Sequence, residues 1–161
     1  MLRSYYSQMA HRHEQSIIVK RVEDELPDGF QALLELSQRE GIRNLSMLYE
    51  NWLSGAERFN QNGAALFGAF CKNELIGLGG TTKELGYSAP AMRMRRLFVS
   101  PLWRRKGVAR LIARQCMDWG LESASTLTCN AEASAAAAPF WEGMGFKPVD
   151  LARITHVYVD N

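Results

Sequence analysis

The spacing of apolar and polar residues along the chain predicts strands that alternate with helices. β-Branched stretches and alternation at every second position favour strands, and apolar residues that recur every three to four positions favour helices. The predicted strands are residues 16–22, 64–71, 74–82, 92–99, 126–130, 147–151 and 153–159. The predicted helices begin near Phe30, Asn44, Val108 and Ser134. The resulting order, βααβββαβαββ, is typical of a mixed α/β sheet in one domain.

Cap and breaker residues indicate where the helices begin and end. Asn44 is a candidate cap for the second helix, because asparagine accepts hydrogen bonds from free helical amides. Gly120 is a natural stop for the third helix. Ser134 is expected to open the last helix. Pro139 must then lie in its first turn or bend it, since proline has no N–H to donate.

The strand at residues 92–99 contains an irregularity. Its apolar residues alternate at Met92 and Met94 and again at Leu97 and Val99, but the phase slips by one residue between the two pairs. One extra residue, a β-bulge, explains such a slip. A strand that is buried on both faces explains it equally well, because phase then matters little. Both interpretations stay open.

The same strand, the helix that follows it and the strand at 126–130 form a crossover unit. Such strand–helix–strand connections are right-handed and parallel in nearly every case. We therefore expect residues 92–99 and 126–130 to be neighbouring parallel strands.

A basic turn with a glycine joins the central strand to its helix. The first amides of a helix lack carbonyl partners, and Gly107 allows a ligand to approach the backbone closely. No Asp or Glu occurs between Leu85 and Met117. The basic residues of this stretch are Arg93, Arg95, Arg96, Arg104, Arg105, Lys106, Arg110 and Arg114. A solvated basic face is the simpler explanation, but the position at a helix N-terminus favours a bound phosphate group.

Two motifs in this half of the chain resemble a known family. Arg104, Gly107 and Ala109 match the Q/R-x-x-G-x-G/A signature of the GNAT N-acetyltransferases. Residues 139–146, PFWEGMGF, are similar to the P-F-Y-E-x-x-G-F segment that closes the same domain. The resemblance implies a GNAT-like domain at 16–161 after a flexible tail at 1–15. Its fold is a mixed, mostly antiparallel sheet with a splayed central parallel pair and helices on both faces.

The resemblance also implies an activity, the transfer of an acetyl group from acetyl-CoA to a primary amine. The amine attacks the thioester directly, and a backbone N–H at the bulge stabilises the oxyanion that forms. In such a site the pyrophosphate lies on the turn before the helix, and the pantetheine arm pairs with the central strand. The implied cofactor-binding residues are Leu97, Phe98, Val99, Arg104, Arg105, Lys106, Gly107, Val108, Ala109 and Ser134.

The catalytic positions are where the chain departs from the family. Trp141 occupies the place of a tyrosine that often acts as general acid, and an indole N–H is far too weak an acid for that role. Ser134 replaces a frequent asparagine, and the central strand carries no carboxylate. Glu84, Glu132 and His156 are candidate bases, and each has an ordinary structural interpretation as well. A catalytically weak module that binds acetyl-CoA as a sensor or structural ligand is therefore the alternative.

Composition narrows the class of protein without selecting a substrate. The 161 residues carry a net charge of +2, with 47% hydrophobic and 22% charged residues, as in a soluble single domain. The cysteines at positions 71, 116 and 129 have neither metal spacing nor a disulfide framework, which fits a reducing cytoplasm. No stretch is apolar enough for a signal peptide or a membrane helix.

The expected partners follow from these observations. Nucleic-acid binding is disfavoured, because no aromatic platform accompanies the arginines. His11 and His13 lack a third ligand, so we expect no metal. Either Met1 or Met9 can be the natural start. The acceptor is a small-molecule amine or a protein N-terminus or lysine, and a homodimer is an open possibility.

Overall fold

The computed structural model describes residues 16–161, and the expected tail at 1–15, with His11 and His13, lies outside them. The strands are β1 (Ile17–Val22), β2 (Ala65–Cys71), β3 (Glu74–Lys83), β4 (Ala91–Val99), β5 (Thr126–Cys129), β6 (Lys147–Leu151) and β7 (Ile154–Val159). The helices are α1 (Phe30–Arg39), α2 (Asn44–Ser54), α3 (Val108–Leu121) and α4 (Ala137–Gly143). A 3₁₀ turn, Pro101–Trp103, follows β4. The predicted order of elements is confirmed.

The strands form one mixed sheet in the order β1-β2-β3-β4-β5-β7-β6. All neighbouring pairs are antiparallel except β4 and β5, which are parallel. The crossover through α3 therefore produces the parallel pair that the sequence predicts.

The parallel pair separates soon after it begins. Pairing is limited to Ala91 with Thr126, Met92 with Leu127, and Arg93 with Thr128. Strand β4 continues to Val99, and no further pairing to β5 is present in residues 16–161. The sheet thus opens beside residues 94–99, and this is the splay expected from the family resemblance.

Helices cover both faces of the sheet, and each face has its own apolar core. Helices α3 and α4 pack on one face, and helices α1 and α2 on the other. The α3/α4 core includes Met92, Met94, Ile112, Cys116, Leu127, Trp141 and Phe146. The α1/α2 core includes Phe30, Leu33, Leu45, Leu48, Leu66, Leu78 and Phe98. Burial of these two apolar sets against the sheet is the main stabilising contribution.

The irregularity in β4 is a β-bulge. Leu78 of β3 lies opposite Phe98, whereas Gly80 lies opposite Arg95. Between these two pairs β4 advances by three residues and β3 by two, so β4 contains one extra residue. Arg96 has a positive φ of 57°, which non-glycine residues seldom adopt. Of the two interpretations that the sequence left open, the structure shows the bulge.

Two helix starts differ from the sequence-based expectation. Asn44 makes no capping hydrogen bond, and its side-chain amide instead donates to the Leu97 carbonyl at 2.8 Å. Helix α4 begins at Ala137 rather than at Ser134, although Pro139 does lie in its first turn. A turn from Ala137 N to Ser134 O precedes this helix. Local patterns identified both helices but not the tertiary partners of these polar groups.

Gly120 is not the end of α3, which continues to Leu121. A Cβ atom at Gly120 would lie 3.0 Å from Leu127 Cδ2 and 3.3 Å from Met92 Cβ. The glycine is therefore needed because the helix lies directly on the parallel strand pair.

Candidate active site

The loop before α3 presents free backbone amides. Arg105 and Gly107 have positive φ angles of 61° and 80°, and no side chain caps the helix. Within the part of the chain that the structure describes, the N–H groups of residues 105–109 have no hydrogen-bond partner. A Cβ atom built on Gly107 would meet nothing within 4 Å. Free amides at the positive end of a helix dipole, with open space before them, fit a phosphate group.

The opened edge of β4 leads into this loop. Ser100 N–H donates to Ile76 O of β3 at 2.8 Å, so alternation turns the backbone of Phe98 toward β3 as well. The backbone groups of Leu97 and Val99 consequently face the opening. Their carbonyls accept from side chains, Leu97 O from Asn44 and Val99 O from Arg104 Nε at 3.2 Å. An extended ligand along this edge can use the N–H groups, and it can share the carbonyls, because each carbonyl oxygen has a second lone pair.

Arg104 connects the loop to the end of α1. Its guanidinium donates to both Glu40 carboxylate oxygens, at 2.6 and 2.7 Å, and lies over the Phe98 ring. The hydrogen bond from Arg104 and its charge lower the pKa of Glu40, although slight burial opposes the shift. This pairing joins the end of α1 to the first residue of the R-x-x-G-x-A motif.

Glu84 is a constrained carboxylate rather than a free one. It accepts from Arg93 at 2.9 Å, from Thr128 Oγ1 at 2.8 Å and from Gly86 N–H at 3.1 Å. Burial by itself raises the pKa of Glu84, but the hydrogen bonds from these groups and the charge of Arg93 outweigh it, so the pKa is lowered. A carboxylate with a lowered pKa is a weaker general base.

The other two candidate bases lie elsewhere. Glu132 is exposed, and its backbone N–H donates to the Asn130 side chain at 3.1 Å. His156 is buried, with Nε2 at 3.2 Å from a Glu142 oxygen and Nδ1 at 2.8 Å from Thr155 Oγ1. Its contact to α4 places it on the α3/α4 face, whereas Glu84 contacts Arg93 on the opposite face. The structure does not bring the three candidates together.

Trp141 is part of the core. It is buried, and its ring meets Phe140 and Phe146 edge-on at centroid distances of 5.1 and 5.0 Å. This contact geometry is that of a packing residue. Ser134, the other substituted family position, is exposed.

The cysteines do not provide a nucleophile. Cys71, Cys116 and Cys129 are buried free thiols. Burial raises the pKa of Cys129 to about 12, with a small opposing effect of Arg93, so the thiol stays protonated at neutral pH.

Within residues 16–161, no group of three potential metal ligands is present, and no helix is long and apolar enough to cross a membrane.

The sequence interpretation missed where the β4 arginines lie. Arg93, Arg95 and Arg96 were assigned to a basic stretch around the phosphate site. The structure places them instead at the point where the strand pair separates, on the side of α1 and α2. The one-residue slip in the apolar pattern was the signal that could have located them.

The family model described as an acetyltransferase (GNAT) domain matches residues 33–156. The chain belongs to the GNAT family. No curated protein matches it in sequence. Among solved structures, a candidate acetyltransferase from Exiguobacterium sp. 255-15 is similar at 26% identity and a TM-score of 0.79, covering 89% of this chain and 93% of that one.

Two further solved structures share the GNAT fold. An acetyltransferase from Streptococcus agalactiae 2603 has 18% identity and a TM-score of 0.66, over 91% of this chain and 98% of that one. A mutant AtaT toxin, bound to the C-terminus of the antitoxin AtaR and acetyl-CoA, has 12% identity and a TM-score of 0.67, over 89% and 93%. At these identities the similarity concerns the fold alone.

Proposed function

We propose that this GNAT protein transfers the acetyl group of acetyl-CoA to a primary amine by direct attack of the amine on the thioester. One observation carries the proposal: the opened edge of β4 runs directly into the free amides at the start of α3. This combination provides backbone donors for an extended arm and for a diphosphate at its end. A solved structure with the same fold contains acetyl-CoA.

The chain's own residues would bind and orient the cofactor. Amides of residues 105–109 would hold the pyrophosphate, and Leu97 and Val99 would pair with the pantetheine arm. Lys106, whose ammonium lies 5.0 Å from the Trp103 ring centre, adds positive charge at the same loop. Acetyl-CoA, when bound, supplies the activated acetyl group.

For removal of the amine's proton, this chain provides no well-suited general base among the candidates. An alkylammonium has a pKa of about 10.4 and must lose a proton before it attacks. Glu84 has a lowered pKa and three donors, and His156 is buried against Glu142. We therefore propose that the acceptor loses its proton to water, so that the rate rises with pH toward the acceptor's own pKa.

The alternative is a GNAT module that binds acetyl-CoA without efficient transfer. Buried Trp141 in the place of the family's tyrosine acid favours it. Both functions require the same cofactor site, and they differ only in turnover.

Calorimetry with coenzyme A and a thiol-release assay across a broad panel of amines separate the two functions. Coenzyme A binding with amine-dependent thiol release supports the transferase. Binding accompanied only by slow hydrolysis, whatever the amine, supports the module. Absence of coenzyme A binding would contradict both.

A further inference from the structure

Two arginines at the β4 bulge have no ion-pair partner within residues 16–161. Arg95 and Arg96 are each partly buried. Among the described residues, the side chain of Arg95 makes no hydrogen bond or ion pair, and the side chain of Arg96 donates only to the thioether sulfur of Met47 at 3.5 Å. A thioether is a weak acceptor, whereas each guanidinium has five N–H donors in a planar fork. Nearly all of this donor capacity is unused within the part of the chain that the structure describes.

The carboxylates nearby are already engaged by other groups. Glu84 binds Arg93, Thr128 and the Gly86 N–H. Glu57 accepts from the Phe59 N–H at 2.8 Å. These two carboxylates favour the charge of Arg95 without forming an ion pair with it. An excess of positive charge therefore remains at the bulge.

This excess charge is energetically unfavourable in the free protein. Burial, followed by repulsion from Arg95 and Arg93, lowers the pKa of Arg96 to about 10. Burial and repulsion from Arg93 lower the pKa of Arg95 too. Desolvated charges without partners are destabilising, and such arrangements are concentrated at functional sites. Arginine stems that merely cover apolar surface are the alternative, since their heads can reach water.

The position of the pair matters as much as its charge. Arg95 and Arg96 lie where β4 separates from β5, which is where the acetyl end of the cofactor would lie if the proposed function is correct. Arg96 projects toward the side of α1 and α2, as its contact with Met47 shows. Alternation along β4 places Arg95 on that side too, opposite to the buried Met94. The same side carries Arg93, which also donates to the Arg153 carbonyl in the β6–β7 turn at 3.0 Å.

We propose that Arg95 and Arg96 form an anion subsite that recognises a carboxylate or phosphate carried by the amine acceptor. The inference rests on the proposed function and adds to it the substrate class. Guanidinium forks bind planar carboxylates and tetrahedral phosphates through two parallel hydrogen bonds. Amino acids and aminoalkyl phosphates fit the subsite. Polyamines and aminoglycosides are disfavoured, because their cations would lie against unpaired arginines.

Matched acceptor pairs test the subsite by turnover. L-alanine is compared with L-alaninamide, O-phosphoethanolamine with ethanolamine, and spermidine serves as the polycation. The anionic member should have a kcat/KM at least about tenfold higher, since one charged hydrogen-bonded pair supplies that factor. The amide has the more easily deprotonated amine, so any bias runs against the proposal. The pair with the larger ratio shows whether carboxylate or phosphate is the natural group.

Charge-preserving variants separate recognition from packing. Arg95→Lys and Arg96→Lys keep the stem and the charge but remove the fork. Each should reduce the anionic-to-neutral ratio by about tenfold. Arg114→Lys, a change of the same type at an exposed α3 position, should leave the ratio unaltered. Equal loss for both members of a pair would indicate a packing role and overturn the proposal.

A binding experiment on the wild-type protein does not depend on turnover. With ¹⁵N-arginine labelling, the Nε–H signals of Arg95 and Arg96 are assigned from the lysine variants. They should shift on addition of N-acetyl-L-alanine and not of N-acetyl-L-alaninamide, while the Arg114 signal stays unchanged. If no amine is acetylated but these signals shift, the transferase proposal fails and the anion subsite stands. If neutral amines react as well as anionic ones, or the signals do not respond, the subsite is wrong.

Discussion

The two faces of β4 carry opposite chemistry. On the α3/α4 face, Met92, Met94 and Val99 are buried in an apolar core. On the α1/α2 face, Arg93, Arg95 and Arg96 line the strand, and of these only Arg93 has an ion-pair partner in residues 16–161. The apolar face fixes the position of the strand and of α3, and therefore of the loop amides. The other face packs through Phe98 in the α1/α2 core, and its arginines form the anion subsite proposed above.

The largest effect is expected from a change at Gly107, in the loop whose position the apolar face of β4 fixes. Its φ of 80° is strained for any residue with a Cβ, and a β-branched side chain would also fill the open space before the amides. We expect Gly107→Val to abolish coenzyme A binding, with a loss of affinity of about 100-fold or more, while the sheet stays folded. Calorimetry and circular dichroism measure the two effects.

Gly55 provides a matched control for this change. It has a φ of 79°, and a Cβ built there also meets nothing within 4 Å, but it ends α2. Both substitutions should lower the free energy of unfolding by about 1–2 kcal/mol, but Gly55→Val should keep full coenzyme A affinity. Unchanged affinity in Gly107→Val would show that the cofactor site is misplaced.

The next effect concerns Trp141 on the same face. We predict that it packs beside the thioester end of the cofactor and transfers no proton. Trp141→Ala should lower the free energy of unfolding by about 3–5 kcal/mol, because a large buried ring is removed. Trp141→Phe should keep most activity. Unfolding in urea and steady-state kinetics provide the measurements.

Trp141→Tyr sharpens this prediction by adding the proton donor that the family often has. We expect no large gain in rate. A pH–rate profile with a rise above tenfold and a new basic limb would show that the native site lacks an acid. Complete inactivity of Trp141→Phe would contradict a pure packing role.

On the charged face, Glu84→Gln should have a moderate effect on stability. Because the pKa of Glu84 is lowered in the fold, its ionised form stabilises the protein at neutral pH, and this contribution is lost as the pH falls below about 4. We expect the variant to lose about 1–3 kcal/mol at pH 7 and to approach the wild type in acid.

Urea unfolding of both proteins at pH 7 and about pH 3.5 measures the difference. Glu122→Gln, at an exposed position after α3, is the control and should match the wild type at both values. A difference between wild type and Glu84→Gln that persists in acid would show that shape, not charge, is what Glu84 contributes.

The smallest effect is expected for Arg104. Its pair with Glu40 is substantially exposed, with 40% and 31% of the two side chains accessible, and exposed charges are screened by salt. Arg104→Gln should weaken coenzyme A binding less than tenfold, and mainly at low ionic strength. Calorimetry at two salt concentrations, with Arg114→Gln for comparison, measures it. A large effect independent of salt would mean that Arg104 acts through its bond to the Val99 carbonyl.

The sequence by itself determined the order of elements, the parallel pair and the family. These follow from local periodicity and from the handedness of a crossover, which need no knowledge of distant contacts. The proposed phosphate loop lies at the glycine turn that the sequence shows, because a glycine between a strand and a helix sets a backbone geometry that few side chains alter.

Only the tertiary structure decided what the polar side chains do. Asn44 is separated by 53 positions from the Leu97 carbonyl that it binds, and Glu40 by 64 from Arg104. No local pattern specifies such partners, because they depend on how helices dock on the sheet. The same holds for the charge at the bulge. The sequence shows consecutive arginines, but their partial burial, without an ion pair to any residue of 16–161, arises only when α2 and the separated strands surround them.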